Sequence, residues 1–213
     1  AGAEGLGRLT IDQTGAVVTL AEDGVHPFGF KLSTLSSDSS NLTLTAPTGS
    51  PSTLGAEFTG QVTAGEKTRI GLTLPDGSEL TLALIAVEGV PENPGEYTIG
   101  ATLADTAVNF AAALEAALGA AGEGELAGAS MLAAADNFFN GRGEDVLRVD
   151  GPPFESATSL MVADPADTVI WYSGSDEPGS ARQSVTARIA DGIEVEYGAQ
   201  ANESGFVEMM RSL

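Results

Sequence analysis

Between Ser184 and Gly198 the chain runs twice through an apolar–polar alternation, and Asp191-Gly192 separates the two runs. Val185, Ala187 and Ile189 alternate with Thr186 and Arg188; Ile193, Val195 and Tyr197 alternate with Glu194 and Glu196. Period-2 spacing puts each set on one face of a strand, so the stretch predicts a half-buried β-hairpin. The side chains also select the turn. A two-residue loop would set Ile189 opposite Glu194 and Arg188 opposite Val195, mixing charge with apolar surface on both faces, and that register is rejected. A three-residue loop, Ala190-Asp191-Gly192 with Gly192 left-handed in a bulge, pairs Ile189 with Ile193, Ala187 with Val195 and Val185 with Tyr197. One face is then wholly apolar, and Arg188 lies opposite Glu194. Asn202 is the expected N-cap of a following helix in which Phe206, Met209 or Met210, and Leu213 recur at helical spacing. No Gly, Asn or Pro ends that helix, and an amphipathic segment of about eleven residues is marginal alone, so the expectation is a chain cut from something longer.

The charge balance narrows the partners. Nine Lys and Arg face 30 Asp and Glu, a formal charge of −21. Such a surface repels phosphate backbones and anionic membranes, which argues against nucleic acid. The acids are scattered along the chain, the pattern of a solvated surface. Aromatic residues are 6% and glycines number 27, a globular composition of short strands, frequent turns and small-residue helices. There is no cysteine, which removes disulfides, thiol nucleophiles and thiolate metal ligands together. No stretch approaches the roughly 18 apolar residues of a membrane span, and Ala1 to Gly7 has no basic region followed by an apolar one.

Earlier segments read mostly as strands. Arg8–Asp12 and Ala16–Leu20 form an expected hairpin around Gln13-Thr-Gly15, and Phe28–Leu32 a third strand. Residues 33–53 are more than half Ser and Thr and carry Pro47 and Pro51, so they read as a polar loop with one short strand at Asn41–Thr45. Residues 56–88 are the clearest β region: strands at Glu57–Thr63, Thr68–Leu74 and Glu79–Ile85. There Ile70, Leu72 and Leu74 share a face with Leu80, Leu82 and Leu84. Tyr97–Ile99 adds a short strand. Thr102 with Asp105 has the form of a capping box, and Ala107, Ala111, Leu114 and Leu118 recur at 3.6 spacing up to Gly119. A second helix is expected over Glu125–Phe139, beyond a joint at 120–124, which makes residues 103–139 an αα-hairpin. Val146–Val149 is extended, and Val169–Tyr172 reads as a buried strand before an acidic loop at Ser173–Gly179. The fold class is α+β: an antiparallel β-rich region, the αα-hairpin, and a C-terminal β-hairpin leading into a truncated helix. The chain is treated as one region over residues 1–213, with 55–145 as an inserted subdomain and 182–213 as the start of a helical core.

No catalytic constellation emerges. His26 is the only histidine and precedes Pro27 in a turn, and G-x-S-x-G is absent, so His26 is assigned a structural or solvent-facing place. The neighbours Glu22-Asp23, Glu144-Asp145 and Asp176-Glu177 sit together in turns, whereas glycoside hydrolysis needs carboxyls converging across a cleft. Gly122–Gly128 misses the dinucleotide fingerprint by one residue and lies between helices rather than after a strand. No twelve-residue calcium loop is present; Asp164, Asp167, Asp176 and Glu177 remain the residues able to gather around a cation. Asn41-Leu-Thr43 and Asn202-Glu-Ser204 fit the glycosylation sequon, and flanking Val169 and Ile170 favour a packed strand for Trp171-Tyr172 over a ligand platform.

Several stretches resemble flagellin-family proteins, in particular hook–filament junction types with a large inserted outer region. The carriers are Arg8–Asp12, Ala21–Leu32, Val149–Phe154, Thr168–Tyr172, Ala181–Arg188 and, most specific, Val195-Glu-Tyr-Gly-Ala-Gln-Ala-Asn-Glu203. In that family a hairpin of this kind leads into the long C-terminal helix of the filament core, and the long terminal helices that polymerise are missing from this sequence at both ends. The resemblance implies a structural subunit with neither enzyme activity nor cofactor, located outside the cell on the bacterial flagellum. It implies export through the flagellar channel without a cleaved signal peptide, and partners that are further subunits, engaged through the terminal helices, together with the export machinery. Val185, Ile189, Ile193, Val195, Tyr197, Phe206, Met209, Met210 and Leu213 are the expected assembly seam, with Tyr197, Phe206, Met209 and Met210 more exposed than their chemistry suggests. The rival expectation is an extracellular adhesin or calcium-stabilised β-rich binding module.

Overall fold

A computed structural model describes residues 5–141, 146–174, 180–183 and 185–212. The chain divides into two compact units, Ala1–Ala133 with Val149–Ser159 and Ala134–Arg148 with Leu160–Leu213. The expected boundary at residue 55 falls within a strand that is hydrogen-bonded to earlier strands on both sides, so 55–145 is not the division the contacts make.

The first unit holds two four-stranded sheets. Strands β1 (Leu9–Thr14), β2 (Val17–Glu22), β4 (Leu42–Thr48) and β5 (Thr53–Phe58) form one in the order β1-β2-β5-β4. Strands β3 (Lys31–Ser37), β6 (Lys67–Thr73), β7 (Glu79–Val87) and β8 (Glu96–Thr98) form the other in the order β3-β6-β7-β8. Every pairing is antiparallel except β7 with β8. Ile70 lies opposite Leu82 and Leu72 opposite Leu80, the shared apolar face that the alternation predicts. The Ser/Thr-rich stretch holds more strand than expected, because Thr is a good strand former on a half-exposed sheet. The strand expected at Glu57–Thr63 accordingly lies earlier, at Thr53–Phe58.

Helix α1 (Leu103–Ala121) lies against both sheets. Thr102 Oγ1 accepts the Asp105 amide N–H and Asp105 accepts the Thr102 amide N–H, the reciprocal box the sequence predicts. Its buried stripe is Ala107, Phe110, Leu114 and Leu118. The Phe110 ring meets Phe58 at 5.6 Å and Tyr97 at 5.2 Å, both edge to face. Burial of the Tyr97 hydroxyl, with the Glu66 charge nearby, pushes its ionisation above the ordinary range.

The αα-hairpin is not formed. Helical backbone continues from α1 through a π-helical segment, Gly122–Leu126, into α2 (Ala127–Asn140). Gly122 has φ −64° and ψ −44°, ordinary right-handed values, and no glycine between 103 and 140 takes the positive φ that ends helices. Each such glycine weakens a helix by about 1 kcal/mol relative to alanine without breaking it, and no proline interrupts the run. The π segment, wider than an α turn, buries Leu126 completely. A Cβ placed on Gly7 would stand 2.4 Å from Phe30 Cδ2 and 2.7 Å from Leu126 Cδ2, so backbone and core meet there with no room for a side chain.

Strand β9 (Leu147–Val149), whose last residue falls in the first unit, pairs with β10 (Leu160–Val162); in the second unit a short 3₁₀ turn spans Ala181–Gln183, and β11 (Thr186–Ala190) pairs with β12 (Ile193–Glu196) ahead of α3 (Ser204–Arg211). Val169–Tyr172 is not a strand. Val169 is exposed, while the Trp171 ring packs edge-on against Phe139 at 5.6 Å, so aromatic packing rather than strand pairing anchors the segment.

Candidate assembly surface

The β11–β12 hairpin has most of the expected register. Ala187 pairs with Val195 and Arg188 with Glu194, and the Tyr197 amide donates to Val185 O at 2.9 Å. Gly192 has φ +73°, the left-handed value a tight turn demands. One pair differs. A register shift follows Arg188, so Ile193 faces Ala190 rather than Ile189, and the loop is the two residues Asp191-Gly192 instead of the expected three, with the bulge moved into the strand. The extra residue is accommodated at Ile189, which is 66% exposed. Arg188 does not reach across to Glu194; its guanidinium donates to Ala190 O and pairs with Asp191, holding the turn.

Alternation leaves Val185, Ala187, Val195 and Tyr197 on one face of this ribbon and Thr186, Arg188, Glu194 and Glu196 on the other. Val185, Ile189, Ile193, Val195 and Tyr197 are all exposed. A two-stranded ribbon with an uncovered apolar face is marginal in water, so this surface is suited to being covered.

Helix α3 begins one residue later than expected. Glu203, not Asn202, occupies the cap position, and it makes no side-chain capping bond; its carboxylate accepts from Arg182 at 3.2 Å instead. Val207 faces inward at 6% exposure, and Arg211 pairs with Asp136 of α2 at 2.9 Å. Phe206 and Met209 point out, at 43% and 55% exposure, and Met210 is half-buried. Of the four side chains expected to stand out, Tyr197, Phe206 and Met209 do and Met210 does so only in part. Leu213, the last seam candidate, and Ser184 lie outside the described residues. Between α3 and the end of α2 runs a cleft of about 330 Å³, lined by Phe139, Asn140, Asn202, Val207, Glu208 and Arg211 among others.

A polar cluster in the first unit gives His26 its place. The His26 ring is buried: Nδ1 accepts the Phe28 amide N–H at 3.3 Å, and Nε2 lies 2.5 Å from Asp23 Oδ1. Arg8 donates from Nε to Asp23 Oδ2 at 2.6 Å and from Nη1 to Ala157 O at 2.9 Å, and its Nη2 lies 3.0 Å from the same His26 Nε2. Burial by itself would raise the Asp23 carboxyl, but the hydrogen bonds from His26 and Arg8 and the Arg8 charge outweigh it and hold the group below 3.8. The arrangement ties together residues 8, 23, 26 and 157 and presents no nucleophile to the imidazole. Sequence reading missed Arg8, which at φ +68° is the one described non-glycine residue with positive φ. Its only local signal is the glycine before it.

The remaining candidates are occupied locally. The Asn41 amide donates to Gln61 O at 2.7 Å, so the first sequon's acceptor nitrogen is engaged. Asp164 accepts the Ala166 amide at 2.9 Å, while Glu144, Asp145, Asp176 and Glu177 lie outside the described residues. Among the described residues no three His, Asp or Glu side chains gather as metal ligands, and no helix is long and apolar enough to cross a membrane. Comparison with family models, with curated proteins and with solved structures finds no match to this chain.

Proposed function

We propose that this chain is the surface-exposed region of a bacterial flagellin-like subunit, of the filament or of the hook–filament junction, and acts as a structural component without catalysis. The observation that carries the reading is the coincidence of two features in one stretch. Val195–Glu203 is the segment on which the resemblance read from the sequence chiefly rests, and it leads from the end of the β12 strand, where the apolar side chains Val195 and Tyr197 stand in solvent, toward α3, where Phe206 and Met209 do the same. An apolar hairpin face adjoining an amphipathic helix suits assembly against the long helices of a filament, in the same or a neighbouring subunit. The formal charge of −21 supports an outer surface that keeps such filaments dispersed. In this reading the subunit is exported through the flagellar channel and works outside the cell, its partners being other flagellar subunits and the export machinery.

Immunogold electron microscopy tests the reading. An antiserum raised against the purified chain is expected to decorate flagella sheared from the source bacterium, either along the filament or at its junction with the hook. Label on the cell body with bare flagella would overturn the flagellar role and favour an adhesin.

A further inference from the structure

We infer that the free edge of β1, with the groove between it and α1, takes an antiparallel strand from a partner polypeptide that alternates apolar side chains with Lys or Arg. The site lies wholly within the first unit, and the inference does not rest on the flagellar reading.

The backbone points to a strand. β1 is an end strand of its sheet, and the ladder fixes which of its main-chain groups are already bonded. On the β2 side, Ala16 O accepts the Phe58 amide and the Glu22 amide donates to Ser52 O, so even-numbered residues there face β5. Alternation then turns Val17, Thr19 and Ala21 toward their partners Thr14, Asp12 and Thr10 of β1. Leu9, Ile11 and Gln13 are left facing outward. The Leu9 amide donates to Leu6 O at 3.2 Å. The amides and carbonyls of Ile11 and Gln13 have no protein partner among the described residues. Open donors and acceptors in a row are what an added strand bonds.

The groove beside that edge suits the side chains of such a strand. It encloses about 310 Å³ between Ile11 and Gln13 of β1 and Val108, Ala111, Ala112 and Glu115 of α1. These helical residues recur at i, i+3, i+4 and i+7 and so form one stripe, in which Val108 is 50% exposed. In a hydrogen-bonded antiparallel pair, the residues opposite Ile11 and Gln13 share their inward face. The partner's apolar side chains therefore enter the groove, where the alanines keep the helical wall low.

Charge selects the residues between them. The partner residue beside Asp12 shares its outward face, where Asp12 is exposed and its carboxylate accepts only the Thr14 hydroxyl, at 3.3 Å, among the described residues. Glu115, exposed in the groove itself, has no ion-pair partner among them. Of the described cations, Arg8, Lys31, Arg69, Arg182, Arg188 and Arg211 are held in ion pairs, Arg148 donates to Asp167 O, and Lys67 lies on β6 in the other sheet. The two carboxylates therefore favour a partner that brings its own Lys or Arg. A second copy of this chain fits poorly. Its edge strands β1, β4, β8, β10 and β12 contain no cation, and Lys31 of β3 and Arg188 of β11 are held in ion pairs. Arg148 lies on β9, whose Leu147 amide and carbonyl are both taken by the Asn137 side chain.

Three short fluorophore-labelled peptides test the inference: valine alternating with lysine, valine alternating with glutamate, and the lysine peptide N-methylated at its valines. In the antiparallel pairing the valine amides face β1, so N-methylation removes the donors while keeping the charge and the side chains. Each peptide is titrated with the full chain and followed by anisotropy. The lysine peptide is expected to bind about tenfold or more tighter than either of the others. It is also expected to slow hydrogen exchange at the Ile11 and Gln13 amides, read by NMR. Asp12→Asn with Glu115→Gln is expected to remove most of the margin over the glutamate peptide, and Val108→Ser to weaken binding of the lysine peptide. These variants alter exposed side chains, and circular dichroism checks that they fold. Equal binding of the N-methylated peptide would mean that the chain's negative charge alone attracts lysine, and overturns the inference. So does binding that leaves the Ile11 and Gln13 amides exchanging as fast as before, or a glutamate peptide that binds as tightly. Protection of the same amides in a concentration-dependent dimer without peptide would make a second copy the occupant and overturns it as well.

Discussion

Nε2 of His26 lies 2.5 Å from Oδ1 of Asp23, and the other Asp23 oxygen lies 2.6 Å from Nε of Arg8. One carboxylate thus neutralises a guanidinium that is only 12% exposed and fixes the orientation of a buried imidazole. Asp23→Asn leaves that guanidinium without its counter-charge, and the expected loss is about 1–3 kcal/mol at neutral pH by urea denaturation.

The same carboxylate gives a pH dependence with a definite sign. Its folded-state pKa lies below the ordinary 3.8, so the stabilisation is fully present above that value and is lost as pH falls through the folded one. Melting curves of the wild type and Asp23→Asn are expected to differ at neutral pH and to converge below pH 3.8. A difference that widens on acidification would show that Asp23 is not the group responsible.

Gly7→Ala is expected to be among the most damaging small substitutions. The residue has φ +61°, where a side chain costs about 1–2 kcal/mol, and the new methyl would overlap Phe30 and Leu126, adding about 1–3 kcal/mol of overpacking. Gly65→Ala, at φ +91° with nothing within 4 Å of its Cβ, carries the backbone cost alone. Denaturant midpoints of the two variants separate packing from backbone strain.

Thr102→Ala removes one half of the capping box of α1 and is expected to cost about 1 kcal/mol, with Thr102→Ser restoring most of it. Thermal melts followed by circular dichroism at the helical band check both substitutions. No difference between alanine and serine would mean that the hydroxyl contributes nothing.

The melting temperature is expected to rise with added NaCl. Carboxylates greatly outnumber cations, and Arg8, Lys31 and Arg69 are already paired, so the dominant long-range term is repulsion among acids. Taking NaCl from about 0.01 M to about 1 M shortens the screening length from about 30 Å to about 3 Å and relieves that repulsion. A Tm that falls over that range would show that the ion pairs outweigh the repulsion.

Much of this architecture is legible from local pattern. The Ile70–Leu74 and Leu80–Leu84 runs announce their pairing because period-2 alternation has one solution when a face is buried. Thr102 and Asp105 announce a helix start because their bonds close within four residues. The misreadings share a different cause. Residues 120–124, with Gly122 and Gly124, look like a joint, since glycine weakens a helix, yet packing of Leu118 and Leu126 into the core outweighs that cost. Asn202 is the better capping residue by propensity, yet the helix starts after Glu203, whose carboxylate is drawn to Arg182.

Sequence alone determined the strand alternation, the left-handed turn at Gly192, the capping box and the acidic balance, because each depends on neighbours a few residues apart or on composition. Tertiary structure decided what distance in the chain conceals. Arg8 reaches Asp23, His26 and Ala157, contacts for which no local pattern exists. Ile189 leaves the ladder although alternation places it in the pairing, because the turn's geometry, not hydrophobicity, sets where the extra residue goes. The exposure of Val195, Tyr197 and Met209 is likewise a tertiary fact: pattern marks a side chain as apolar, and only the packing around it shows that no described residue of its own unit covers it.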